Sequence, residues 1–134
     1  MNATAIGTIW SPRVRSVLRI VAGLLLLQYG TAKLFGWPVV KMFENLPWLS
    51  LYGVAGMFEL VGGALLVLGL FTRPVAFVLS GEMAAAYFIE HFPRGFFPVL
   101  NHGDLAVALC FVFLYLAFAG GGPWSLDAMM RKQD

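Results

Sequence analysis

The sequence has one cysteine, few charged residues and no recognisable set of metal ligands. Because Cys110 is alone, an intrachain disulfide, a CxxC redox pair and a CxxCH haem site are excluded. Charged residues make up 12% of the chain, against about 25% in typical soluble domains. No motif for haem, flavin or metal appears. A net charge of +2 gives no reason to expect a nucleic-acid partner.

What the chain has instead is apolar sequence. It is 60% hydrophobic and its mean hydropathy is +0.80. A helix needs about 20 residues to cross a bilayer. We predict a single all-α domain over 1–134, a polytopic transmembrane four-helix bundle. Its predicted helices cover approximately 14–36, 51–71, 74–92 and 101–120.

Two other interpretations of the apolar runs fit less well. A transmembrane barrel predicts alternating segments of about ten residues, whereas these runs are continuous and rich in Leu, Ala and Gly. A cleavable signal peptide predicts a shorter apolar stretch and a small-x-small cleavage site before a soluble domain. We therefore expect the first run to be a permanent helix.

Basic residues predict the orientation of such a bundle, because Lys and Arg favour the cytoplasmic side. With four crossings, the two termini and the second-to-third connection share one side. That side holds most of the basic residues, namely Arg13, Arg15, Arg19, Arg73, Arg131 and Lys132. We predict cytoplasmic termini in a bacterial inner membrane, with the arginines that begin the first helix meeting lipid headgroups.

Two carboxylates, Glu59 and Glu82, fall well inside predicted membrane helices. Lipid is a poor solvent for charge, so such a residue must face a protein interior, find a partner or hold a proton. Glu59 shares one face of its helix with small residues, which mark close helix contacts. Gln28 of the first helix also requires an internal hydrogen bond at its depth. A purely structural hydrogen bond from Glu59 to Lys33 or Gln28 is the alternative to a functional role.

A denser polar group gathers toward the predicted outer face. It contains acids, bases and cations that the short third-to-fourth connection brings together: Lys33, Glu90, His91, Arg94, Asn101, His102 and Asp104. Histidine is the residue type most often used for proton transfer in proteins. Structural alternatives exist here too. Asn101 and Asp104 fit an N-cap followed by an acid at the third helical position, and the residues around His91 fit the headgroup zone.

Several segments resemble the DoxX family of small four-helix bacterial membrane proteins. The resembling stretches are RIVAGLLLLQYGTAKLFG at 19–36, FELVGGALLVLGLFTRP at 58–74, the histidine-bearing end of the third helix, and GGGPWSLD at 120–127. In the family pattern, Lys33, Glu59 and His91 match recurrent positions. The segment Asn101-His102-Gly103-Asp104 departs from the Asn-Gly-Gly-Glu-like sequence of relatives, and Glu82 and Glu90 lie outside the pattern.

The resemblance implies two classes of function. Some relatives look like subunits of thiosulfate:quinone oxidoreductases, and others associate with thiol or oxidative-stress systems in membranes. A redox role assigns Glu59, His91 and Lys33 to catalysis, with a quinone as the possible cofactor. Further ligand-binding candidates are Glu82, Glu90, Asn101, His102 and Asp104.

The alternative function is a non-catalytic scaffold or assembly subunit whose buried acids fix helix packing. Partners would then be other membrane subunits or further copies of the chain. A proton-coupled transporter is a third possibility. It is disfavoured because the sequence has no paired, interrupted half-helices.

Overall fold

A computed structural model describes residues 2–132 of the chain, and within that range every regular element is helical. The predicted all-α class is therefore confirmed. Short 3-10 turns cover Lys41–Phe43 and Phe92–Arg94. The α-helices are α1 (Ala3–Phe35), α2 (Leu51–Leu68), α3 (Thr72–Ala86), α4 (Pro98–Asn101), α5 (Asp104–Ala119) and α6 (Leu126–Lys132).

Side-chain caps and glycines fix where the two longest helices begin and end. Oδ1 of Asn2 accepts from the amide of Ala5 at the start of α1, and Oγ of Ser50 accepts from the third residue of α2. Both helices end at a glycine in the left-handed conformation, Gly36 with φ 69° and Gly69 with φ 72°. These ends agree with the sequence prediction to within three residues.

The predicted third helix, 74–92, agrees with α3 and the π-helical turn that continues it, Tyr87–His91. Two other boundaries differ from the predicted ones. The first helix begins at Ala3 rather than near 14, because residues 3–13 are also helical. The last long helix begins at Asp104 rather than near 101, since His102 has φ 61° and interrupts the helical path.

The long helices pack as two pairs, α1 with α2 and α3 with α5. Glycines allow the first pair to approach closely: a Cβ at Gly30 would lie 2.5 Å from the amide nitrogen of Leu60, and one at Gly63 would lie 2.8 Å from that of Leu27. The pairs meet mainly through α2 and α3, whose packing is much less extensive. Less contact between the pairs leaves room for cavities there.

One end of the bundle, which we call the closed end, is built around a buried arginine. Arg19 is 1% exposed, and its guanidinium donates to the carbonyl oxygens of Leu66 (2.7 Å), Trp124 (2.7 Å) and Gly121. Ser16 donates to Gly121 O at 3.2 Å and accepts from the amide of Trp124. The expectation that Arg19 meets lipid headgroups is thus wrong. Its planar fork of donors instead joins α1, α2 and the segment after α5.

The segment Gly120–Asp127 completes the closed end. The two carboxylate oxygens of Asp127 accept from the amides of Phe71 (2.8 Å) and Thr72 (2.9 Å). These amides belong to the start of α3, so Asp127 caps that helix from a distant part of the chain. The tail motif seen in the sequence therefore has a direct structural role.

Large apolar side chains cover much of the outside of the helices. Examples that are at least half exposed are Val21, Val61, Phe77 and Phe111. In the described part of the chain, α1 and α2 are the helices long and apolar enough to cross a membrane by length and composition. The apolar α5, with 16 residues, is shorter, about 24 Å at 1.5 Å per residue. Exposed hydrophobic area on this scale is typical of a protein that contacts lipid.

Candidate functional site

A pocket of about 390 Å³ lies between the two helix pairs at the end opposite to the closed end. We call this region the pocket end. Most of its wall is apolar, including Leu26, Phe58, Met83 and Leu109. A minority of its lining residues are polar or ionisable: Tyr29, Lys33, Tyr52, Glu59, Glu82, Glu90, His91, Arg94 and His102. Ligand sites in proteins commonly have this size and this mixture of surfaces.

The pocket contains a buried ion pair between α1 and α2. Nζ of Lys33 lies 2.7 and 2.8 Å from the two carboxylate oxygens of Glu59, which is 4% exposed. The ammonium also faces the rings of Phe43, at 5.3 Å, and Tyr29, at 6.0 Å. Glu59 therefore has its charge balanced inside the protein. The expected alternative partner, Gln28, is exposed and does not take part.

Glu82 lies beside this pair on α3, but the ammonium of Lys33 donates no hydrogen bond to it. Its carboxyl group neighbours that of Glu59 in the pocket. Both of its oxygens are buried, and no hydrogen-bond donor among the described residues reaches them; the group within hydrogen-bond reach is the carboxyl of Glu59. Such groups are uncommon in proteins, because an unpaired buried polar group costs roughly 1–3 kcal/mol. Glu82 is the least satisfied of the ionisable groups in the pocket.

The outer mouth of the pocket carries a second polar cluster. The hydroxyl of Tyr52 donates to Oε2 of Glu90, and Arg94 lies 4.0 Å from the same oxygen. Tyr52 is on α2, whereas Glu90 is in the π-helical turn, so their hydrogen bond joins the two helix pairs. A π-helical turn shifts the register of the residues that follow it and is frequent at functional sites. Here it places both Glu90 and His91 on the pocket wall.

His91 has a defined tautomer in this arrangement. Its Nδ1 lies 3.0 Å from the backbone carbonyl oxygen of Asn101. A carbonyl oxygen can only accept, so Nδ1 carries the proton and Nε2 of the neutral ring is left as an acceptor. His102 lines the rim of the same pocket and is itself exposed.

Asn101 and Asp104 have positions different from those expected. Asn101 is fully buried, and its amide nitrogen donates to Gly95 O at 2.9 Å and to the hydroxyl of Tyr87 at 3.2 Å. Its Oδ1 accepts from the amide of Gly103. Asp104 is exposed and is the first residue of α5, so the predicted N-cap at Asn101 with an acid at the third position is wrong. Neither residue lines the pocket.

Two residues with clear roles were missed in the sequence. Tyr52 comes seven positions before Glu59, a spacing that places both on one face of a helix, and this signal was available. Arg19 lies among other arginines at the start of an apolar run, which is also the pattern of a headgroup-binding segment. Its burial depends on carbonyl groups far away in the sequence, which no local pattern reveals.

The arrangement suits a ligand that is mainly apolar and has a few hydrogen-bonding atoms. Glu82 can donate or accept a proton, the Lys33–Glu59 pair supplies a fixed dipole, and His91 offers an acceptor nitrogen. Among the described residues, no group of three or more potential metal ligands is found.

Comparison with known proteins gives the family. The sequence model of the DoxX family matches residues 14–92, which is more than half of the chain. An uncharacterized protein of Haemophilus influenzae is 43% identical over 131 residues, covering 92% of this chain and 96% of the relative. An uncharacterized membrane protein of Mycobacterium tuberculosis is 27% identical, covering 87% and 80%. No solved structure matches.

The matched segment contains α2, α3 and most of α1, and with them Lys33, Glu59, Glu82 and His91. The likeness to the second relative agrees with the apolar exterior of the helices. The family resemblance inferred from the sequence is confirmed: the chain is a membrane protein and belongs to the DoxX family.

Proposed function

We propose that this protein is the membrane subunit of a quinone-linked oxidoreductase and that the pocket binds the quinone ring. The proposal includes four membrane crossings in a bacterial inner membrane, formed by α1, α2, the α3 segment with its π-helical extension, and α5. Both termini are assigned to the cytoplasm. The electron donor is a thiosulfate- or thiol-related substrate, delivered by a partner subunit.

The contact between Trp124 and Ser16 supports this topology. It joins the segment after α5 to the first half of α1, so the two ends of the described chain lie at the same end of the bundle. Most Lys and Arg residues of the sequence are at that end, which favours the cytoplasmic side. The closed end is then cytoplasmic, and the pocket end opens toward the outer face.

The observation that carries the redox proposal is Glu82. A carboxylate that is ionised and unpaired in an apolar interior is very costly. No donor among the described residues reaches an ionised Glu82, because the nearby ammonium of Lys33 is already bound by Glu59. We therefore assign Glu82 the protonated form, in which it can donate to a ligand oxygen that enters the pocket.

A quinone fits these groups by its chemistry. Its ring is apolar, its carbonyl oxygens accept hydrogen bonds, and its reduction takes up two electrons and two protons. Glu82 supplies one proton, and the Tyr52–Glu90 cluster at the mouth connects the pocket to outside water. The Lys33–Glu59 pair orients the ring through its fixed charges. Nε2 of His91 takes up the second proton from the mouth and passes it to the other quinone oxygen, while the thiosulfate- or thiol-related donor supplies both electrons.

Substitutions of Glu82 provide the test. Glu82→Gln keeps a hydrogen-bond donor but cannot transfer a proton, whereas Glu82→Met removes both functions. We expect purified wild-type protein and Glu82→Gln to retain quinone, and Glu82→Met to lose it. In membranes that contain the complete complex, thiosulfate-dependent quinone reduction by Glu82→Gln should fall by about 100-fold or more, the usual contribution of a general acid.

The matched control is Glu44→Gln, the same chemical change at an exposed position in the connection after α1. It should bind and turn over quinone as the wild type does. A wild-type protein that carries no quinone, in a complex whose activity is unaffected by Glu82→Met, would contradict the redox proposal.

A scaffold is the second candidate, and one observation favours it. The Lys33–Glu59 pair and the buried Asn101 have their hydrogen bonds satisfied within the chain, as groups that fix helix packing do. In that case partners, or further copies of this chain, dock laterally on the exposed helices. The scaffold predicts that Glu59→Gln disrupts the assembly of the complex while quinone is absent from the wild type.

A further inference from the structure

A second cavity lies between α2 and α3, with a volume of about 510 Å³ and a wide opening on the outside of the bundle. Every residue of its wall is apolar: Val54, Met57, Phe58, Val61, Gly62, Leu65, Pro74, Val75, Val78 and Leu79. We call it the groove. It occupies the interface between the two helix pairs, where packing is less extensive.

The groove adjoins the polar pocket. Val54 and Phe58 of α2 line both cavities, so these two side chains form the wall that the cavities share. From there the groove follows α2 and α3 toward the closed end, and its other residues are absent from the pocket. The two neighbouring cavities have polar groups at the pocket end and an apolar surface toward the middle of the bundle.

A missing side chain helps to keep the groove open. At Gly62, a Cβ atom would lie 2.8 Å from Cδ2 of Leu79, which is too close for a normal contact. The glycine lets the leucine fold against α2 rather than project outward. Phe58, which is 47% exposed, stands at the junction of groove and pocket. Its side chain lines both cavities.

We propose that the groove holds the hydrocarbon tail of the ligand whose ring occupies the pocket. This inference rests on the proposed function and assigns it a substrate class: quinones with a long prenyl tail, entering sideways from the lipid between α2 and α3. A single molecule with a polar-edged ring and an apolar chain matches the two neighbouring cavities. An acyl chain alone matches only the groove.

Inside a bilayer the tail is already in an apolar solvent. Its transfer from lipid into the groove therefore gains little hydrophobic free energy. The groove therefore contributes packing contacts and position rather than hydrophobic transfer. The expected effect on affinity is modest, about tenfold. Fixing the tail also fixes the ring, since both are parts of one molecule.

The experiment compares two probes, a benzoquinone without a tail and the same ring with a long prenyl tail. Val61→Phe and Val78→Phe fill the groove, and neither residue lines the pocket. We expect each variant to weaken binding of the tailed probe about tenfold and to leave binding of the tail-less probe unchanged. Val17→Phe is the matched control, because Val17 is an exposed valine of α1 that lines neither cavity.

The outcomes separate this inference from the proposed function. If the wild type binds both probes but the groove variants do not discriminate between them, the groove inference is overturned and the quinone site stands. A change in oligomeric state with unaltered tail preference identifies a second copy as the occupant, and also overturns it. If neither probe binds the wild type, the proposed function fails and this inference fails with it.

Discussion

The two ends of the bundle differ in the hydrogen-bond partners of their buried ionisable side chains. At the closed end, Arg19 donates to three backbone carbonyls and Asp127 accepts from two backbone amides. At the pocket end, Lys33 and Glu59 bind each other, and no donor reaches the oxygens of Glu82 beside them. Both ends contain ionisable groups that lipid would not accept. They differ at Glu82, to which the described residues provide no donor.

This difference distinguishes side chains that stabilise the fold from side chains that are available to bind a ligand. A charged side chain that binds backbone groups of several helices holds those helices together. It has no free hydrogen-bonding capacity for a ligand. A polar group left without a partner lowers stability and provides a binding site. Functional sites commonly carry such a cost. Substitutions of Arg19 and of Glu82 should therefore have effects of opposite sign on stability.

The largest effect is expected for Arg19→Met at the closed end. The substitution leaves the carbonyls of Leu66, Gly121 and Trp124 without their donor in a buried region. Each unpaired group costs roughly 1–3 kcal/mol, so we expect a loss of about 4 kcal/mol in unfolding free energy. Thermal unfolding in detergent measures it. Arg131→Met, the same change at an exposed residue, should leave the melting temperature almost unchanged.

A smaller loss is expected for Glu59→Gln, which removes one member of the buried pair. The ammonium of Lys33 is then left without a counter-charge, and breaking a buried pair costs about 3 kcal/mol. The double variant Lys33→Met with Glu59→Gln removes the charge as well. It should recover most of the stability in the same unfolding assay. A double variant as unstable as the single one would show that the pair is not the cause.

The smallest effect has the opposite sign. Glu82→Met replaces an unpaired buried carboxyl with an apolar side chain of similar length. Removal of an unsatisfied group should raise the unfolding free energy by about 1 kcal/mol, while quinone is lost. If Glu82→Met instead melts below the wild type, Glu82 has a structural partner, and the contrast between the two ends disappears.

Much of the fold could be predicted because hydrophobic runs and their ends are local signals. Gly36 and Gly69 end helices in the structure near the places where the sequence predicted ends. The convergence of Glu59 and His91 on one pocket was also predicted, since small residues mark the inner face of α2. The membrane crossings and the orientation remain predictions.

The rest depended on long-range contacts. Asparagine is a residue type that often caps helices. Asn101 instead lies in a buried turn, where its side chain hydrogen-bonds to Gly95 and Tyr87. Arg19 could not be recognised, because its partners lie 47 or more residues away. The π-helical turn that brings Glu90 and His91 to the pocket has no known sequence signal.

The most direct test of the central claim is an infrared difference spectrum of the purified protein on addition of a quinone. The account predicts the carbonyl stretch of a protonated carboxylic acid that shifts when the quinone binds. This band should persist in Glu44→Gln and be absent in Glu82→Gln, although Glu82→Gln still binds quinone. A spectrum without such a band, or one in which the band survives in Glu82→Gln, would contradict the assignment of Glu82 as the proton-bearing group.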